Sequence, residues 1–126
     1  MSRPKLARPA LLLVVAAGAL PIAGCSHAVY ARAGATVQVA LTEYRLRPNR
    51  VAAVAGTITL VARNFGRLTH NLVVSNGAQK LGSTPPIPPG GSATLKVTLR
   101  PGTYEMASTM LSDQDLGQFG TLLVKR

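Results

Sequence analysis

Side chains able to do chemistry are few in this 126-residue sequence: one cysteine (Cys25), two histidines (His27 and His70) and four carboxylates. His70 lies in the run Asn64-Phe65-Gly66-Arg67-Leu68-Thr69-His70-Asn71-Leu72, and Asp113 and Asp115 fall within YEMASTMLSDQDLGQFG, residues 104–120. An imidazole and a carboxylate together suit a hydrated Cu(II) or Zn(II) ion. Met106 and Met110 in the same stretch offer thioethers to Cu(I), although methionine on a strand is more often core filler. Ser108, His70 and Asp113 are the residue types of a hydrolase triad, yet the G-x-S-x-G elbow is absent and no oxyanion hole is legible. With so few histidines and acids, chance co-occurrence accounts for the set, and no enzyme is expected.

The N-terminal residues point to export. Arg3, Lys5 and Arg8 precede the apolar run Ala10–Leu20, and Ile22-Ala23-Gly24-Cys25 follows. A basic start, a hydrophobic stretch of about a dozen residues and small residues at a cut site describe a secretory signal over 1–24. A transmembrane helix needs about 20 apolar residues, and Gly18 and Pro21 interrupt this run. Ile-Ala-Gly-Cys resembles the bacterial lipobox, which implies a diacylglyceryl group on the Cys25 sulfur and a mature chain beginning there. A lone cysteine in an exported protein forms no internal disulfide, and two acyl chains anchor stably where one is marginal. The expected location is the extracytoplasmic face of a membrane, with Cys25 as the lipid anchor.

Loss of the three basic residues before the cut lowers the net charge from +10 to +7. No basic stripe is interleaved with aromatics, and three Tyr and two Phe are all the aromatics present, so nucleic acid is not an expected partner. Anionic lipid, an anionic envelope polymer or another envelope protein fits the charge better. Arg45 and Arg47 share a face by strand parity, and with Arg50, Arg63 and Arg67 they read as a solvated rim.

The elements that must position these residues are strands. Ser26–Ala35, which includes His27, is small and unpatterned, and residues 25–35 read as a lipidated N-terminus and tether of at most about 35 Å. From Thr36 onward the period becomes two: Val37, Val39 and Leu41, then Ile58, Leu60 and Ala62, then Leu95, Val97 and Leu99, then Leu122 and Val124 alternate with outward-facing neighbours. Turn signals separate the runs at Arg47-Pro48-Asn49, Asn64-Phe65-Gly66, Asn76-Gly77, residues 85–91 and Pro101-Gly102. The Pro-rich stretch 85–91 reads as a stiff loop inside the domain. About seven short strands and no helical periodicity predict an all-β antiparallel sandwich or barrel over 36–126.

Three segments then fall in a recognisable order. Asn64-x-Gly66…His70-Asn71 resembles the first copper histidine of cupredoxins, Pro101-Gly102-Thr103-Tyr104 the corner before their copper loop, and Gly117-x-x-Gly120-Thr121-Leu122 the end of that loop. The resemblance covers about 36–126 and implies an all-β, Greek-key antiparallel β-sandwich of the cupredoxin-like kind. In that family the loop carries Cys, then His, then Met; laid on this chain those positions fall at Ser108, Asp113 and Gln118, with His70 as the first histidine. A blue-copper centre needs two imidazole nitrogens and a thiolate, with a weak axial Met or Gln. Only His70 and, as an axial substitute, Gln118 satisfy that pattern. The resemblance therefore implies a cupredoxin frame without a blue-copper site and with no cofactor. Its expected role is a binding or accessory module at the cell envelope, in which a partly exposed His70 pairs with Asp113. The alternative is a metal-handling protein with a weak copper or zinc site at His70.

Overall fold

The computed structural model describes residues 28–126; the signal segment 1–24 and Cys25 lie outside that range. Ten strands follow one another: β1 (Val29–Ala31), β2 (Thr36–Thr42), β3 (Arg45–Arg47), β4 (Arg50–Val54), β5 (Gly56–Asn64), β6 (Val73–Asn76), β7 (Gln79–Ser83), β8 (Ser92–Leu99), β9 (Gly102–Ala107) and β10 (Phe119–Lys125). They form two sheets, ordered β1-β4-β10-β9-β6-β7 and β3-β2-β5-β8. Alternation selects the inner faces as expected. Val37, Val39 and Leu41 of β2, Ile58, Leu60 and Ala62 of β5, Leu95, Val97 and Leu99 of β8, and Leu122 and Val124 of β10 are all buried in one core. At about 25 cal/mol per Å² of apolar area, this shared core is the main favourable term for the fold.

Two details depart from the sequence reading. The sheets are mixed: β1 with β4, β4 with β10 and β2 with β5 run parallel, while the remaining pairs are antiparallel. Period-two patterning fixes which face is buried, not strand direction. The tether is also shorter than read. Val29–Ala31 is a strand, in register with Val51–Ala53 of β4, and Ala31 is buried in the core. Three residues are too few to show a periodic pattern, so backbone pairing along the β4 edge recruits a stretch whose side chains do not announce it.

The site end of the sandwich is where β2 and β5 end and β10 begins. There, Asn64 closes β5 and Phe65 N–H donates to Leu41 O at 2.9 Å. The stiff 84–91 loop packs inward rather than out: Ile87 is buried and exchanges backbone hydrogen bonds with His70 at 3.1 and 2.7 Å. At the opposite end, the Pro101-Gly102-Thr103-Tyr104 corner is fastened by Tyr104 Oη–H donating to Arg100 O at 2.8 Å.

Candidate functional site

The Asn64-Phe65-Gly66 motif is a hydrogen-bonded brace for the histidine loop. Asn64 Nδ2 donates to Leu68 O at 2.7 Å and to Ile87 O at 2.9 Å, and its Oδ1 accepts from Gly66 N–H at 2.8 Å. A fully buried amide thus satisfies the loop's inward polar groups, as burial demands. Glu43, in the turn between β2 and β3, supports the same loop from the other side. Its Oε1 accepts from Arg67 N–H at 2.6 Å and Leu68 N–H at 2.8 Å. These bonds favour the charged carboxylate, the one from Leu68 most, and together with the His70 contact they hold the Glu43 pKa down at about 2 against an ordinary 4.5.

His70 is held in place between these parts. Its Nδ1 lies 2.7 Å from Asp113 Oδ2 and its Nε2 lies 3.1 Å from Glu43 Oε1. Both ring nitrogens face carboxylate oxygens, so both contacts become hydrogen bonds only when each nitrogen carries a proton. The ring is wholly buried. This corrects the expectation of a partly exposed histidine: Ile87 and the Glu43 turn cover it, and neither cover was visible in the spacing of the motif.

The 108–118 loop closes over the ring. Ser108 N–H donates to Gln118 O at 3.1 Å and Gln118 N–H to Asp113 O at 2.9 Å, which pinches the loop at its base. Ser108, Asp113 and Gln118 are all buried. Ser108 Oγ–H donates to Asp113 Oδ2 at 2.6 Å, and Ser108 Oγ accepts from Asn71 N–H at 3.2 Å. Asn71 Oδ1 accepts from Thr109 N–H at 2.8 Å, tying the loop to the histidine segment. Gln118 Nε2 reaches Arg45 O at 3.3 Å, and Gln118 Oε1 is buried without a partner.

The structure therefore brings all four residues, His70, Ser108, Asp113 and Gln118, to one end of the sandwich. Glu43 and Asn71 complete the network and went unnoticed in the sequence. Glu43 carried a weak signal as one of only four acids; Asn71 stood in the H-N pair but has no chemistry of its own to mark it. Asp115 is exposed and stands outside the network. Met106 is buried core, whereas Met110 lies in the 108–118 loop.

The donor set does not fit a blue-copper centre. It offers one imidazole, two carboxylates, a hydroxyl and an amide, with no thiolate, and both imidazole nitrogens are already engaged. Among the described residues no group of three or more His, Cys, Asp or Glu side chains is arranged to hold a metal. A serine-hydrolase relay also fails on order: that relay needs imidazole between hydroxyl and carboxylate. Here the Asp113 carboxylate stands between Ser108 and His70.

Solved structures with the same fold include an auracyanin, an azurin and a rusticyanin. Reduced auracyanin from the photosynthetic bacterium Roseiflexus castenholzii matches at 21% identity over 72% of this chain and 97% of its own, with a TM-score of 0.66. An azurin from Methylomonas sp. strain J matches at 12% identity over 74% and 99%, also at 0.66. Reduced rusticyanin matches at 17% identity over 75% and 83%, at 0.60. Among curated protein sequences nothing matches. The cupredoxin-like domain family model matches residues 10–123, nearly the whole chain. With its two-sheet frame, its braced histidine loop and that match, the chain belongs to the cupredoxin-like domain family.

Proposed function

We propose that this chain is an exported, lipid-anchored cupredoxin-like module that binds or supports a partner at the cell envelope and carries neither electrons on copper nor a catalytic centre. One observation supports this reading above the rest: Asp113 Oδ2 accepts both the His70 ring and the Ser108 hydroxyl, at 2.7 and 2.6 Å. Three of the four positions that would hold metal in the family, His70, Ser108 and Asp113, are bonded to one another. The network stiffens the loop end of the sandwich, which leaves the fold as a rigid platform. Export and anchorage rest on the sequence at 1–25, with Cys25 as the acylated residue and membrane lipid as the first partner. An anionic polymer or a second envelope protein is the further partner class that the +7 mature charge favours.

Copper titration of the purified protein, followed by visible absorption and metal analysis, tests the copper half of the proposal. Cell fractionation of Cys25→Ala against wild type tests the anchor. Release of the variant from the membrane fraction, or retention of its signal, is the expected result.

The second reading, a weak copper or zinc site at His70, is favoured by the orphaned Gln118 Oε1, a buried acceptor at the same end of the fold. Binding there requires a His70 ring nitrogen to part from Asp113 or Glu43, so affinity is low. His70→Ala should abolish such binding; unchanged binding in that variant contradicts this reading.

A further inference from the structure

We infer that the protein sits on the lipid surface with its site end down, so that the loop tips around the His70 network dip into the headgroup layer. The inference rests on the anchorage at Cys25 proposed above and adds an orientation to it.

Strand direction carries the argument. β1, β4 and β10 are mutually parallel, with Val29 level with Val51 and Val51 level with Leu122. Residues preceding Val29 therefore head toward the end where β10 begins, at Phe119. Ala28 already lies there: with Arg50 and Thr121 it lines a cavity of about 350 Å³ on the outer side of β4 and β10. Ala28 is three steps along the chain from Cys25, a reach of at most about 11 Å. The far end of β10, Lys125, lies four residues beyond Thr121, about 13 Å the other way. That bound puts the level of the loop tips within reach of an acylated Cys25 and the level of Lys125 beyond it.

The same end presents apolar side chains to solvent. Phe65 and Leu68 project from the histidine loop, Leu111 and Leu116 from the 108–118 loop, and Phe119 from the start of β10, all exposed. Leu111 is 94% exposed and adopts a left-handed φ of 49°. A leucine gains nothing for folding from either property, since the conformation is unfavourable for a branched side chain and the exposure wastes its apolar area. Clustered apolar tips beside an anchor fit the shallow burial of side chains at a headgroup boundary. Arg45, Arg50 and Arg67 are exposed at this end, against the exposed acid Asp115 and the half-buried Glu43. The basic excess suits anionic headgroups, and Arg50 stands in the cavity beside Ala28, where a guanidinium meets phosphate oxygens well.

The chain contains no tryptophan, so a single introduced indole reports its own depth. The full-length protein carrying Leu111→Trp, and separately Thr57→Trp, is extracted from membranes and reconstituted into phosphatidylethanolamine–phosphatidylglycerol vesicles with brominated acyl chains. Thr57 is exposed and lies seven residues from Asn64 along β5, about 23 Å from the site end. The expected result is indole quenching at least roughly threefold stronger for Leu111→Trp, as for a tip seated in the headgroup–acyl boundary. Equal quenching, or stronger quenching for Thr57→Trp, overturns the orientation. Incorporation of a palmitate analogue at Cys25 is read on the same preparations. Its absence overturns the anchorage itself, and the orientation with it, whereas label without differential quenching overturns the orientation alone.

Discussion

Gly66 and Glu43 are in such close contact that a Cβ on Gly66 would overlap the Glu43 carboxylate. The glycine of the Asn-x-Gly motif exists to let an acid from the β2–β3 turn reach the Arg67 and Leu68 amides and the His70 ring. Gly66→Ala should push the carboxylate aside, loosen its hydrogen bonds to the Arg67 and Leu68 amides and lower the denaturant midpoint. An unchanged midpoint contradicts the close approach.

Glu43 also sets a pH dependence. Its pKa is depressed, from 4.5 to about 2, so its contribution to stability is present above about 4.5 and is lost as pH falls toward 2. Wild type should therefore lose thermal stability through that window more steeply than Glu43→Gln, which has no charge there to lose. Parallel melting profiles of the two proteins between pH 5 and 2 contradict the assignment.

His70 is a buried part of the fold and not a rim feature. His70→Ala removes a hydrogen-bond partner from Asp113 and Glu43 and leaves a cavity, and the expected loss is about 2–5 kcal/mol, as for truncating a large buried side chain. Ser108→Ala deprives Asp113 of a donor and Asn71 N–H of its acceptor, an expected loss of about 1–3 kcal/mol. Urea unfolding followed by circular dichroism measures both. Losses under half a kcal/mol for both variants contradict a network that holds the loop.

Gln118 gives the opposite sign. Its Oε1 is buried and unpartnered, and its one amide contact is a long 3.3 Å. Gln118→Met keeps the length and removes the orphan acceptor. Stability should stay level or rise by up to about 1 kcal/mol. A loss above 2 kcal/mol in the same unfolding assay would show that the oxygen has a partner.

The sandwich was legible because Leu60, Val97 and Leu122 obey period two over long strands, and because Asn64, His70 and Tyr104 kept the order of the family's motifs. What hid from the sequence depended on tertiary pairing. Val29–Ala31 joins the sheet through its backbone alone, and parallel pairing of β2 with β5 leaves no mark in alternation. Ser108, Asp113 and Gln118 could be placed by position and His70 paired with Asp113, but the bond from Ser108 to Asp113 and the burial of the ring could not be read. They depend on Glu43 and Asn71, drawn in from a turn and a neighbouring segment, and hydrogen bonds between residues so far apart leave no local pattern.

The visible spectrum with Cu(II) tests the central claim most directly, on wild type and on the double variant Ser108→Cys with Asp113→His. An intense blue band arises from thiolate-to-copper charge transfer, and the described part of wild type has no thiolate. Wild type should stay pale at any copper ratio. The variant supplies two imidazoles and a thiolate, with Gln118 as axial oxygen, on a frame that already places all four positions together, and it should turn blue. A blue wild type, or a folded variant that stays colourless, would contradict a cupredoxin frame whose copper site has been converted into a hydrogen-bonded network.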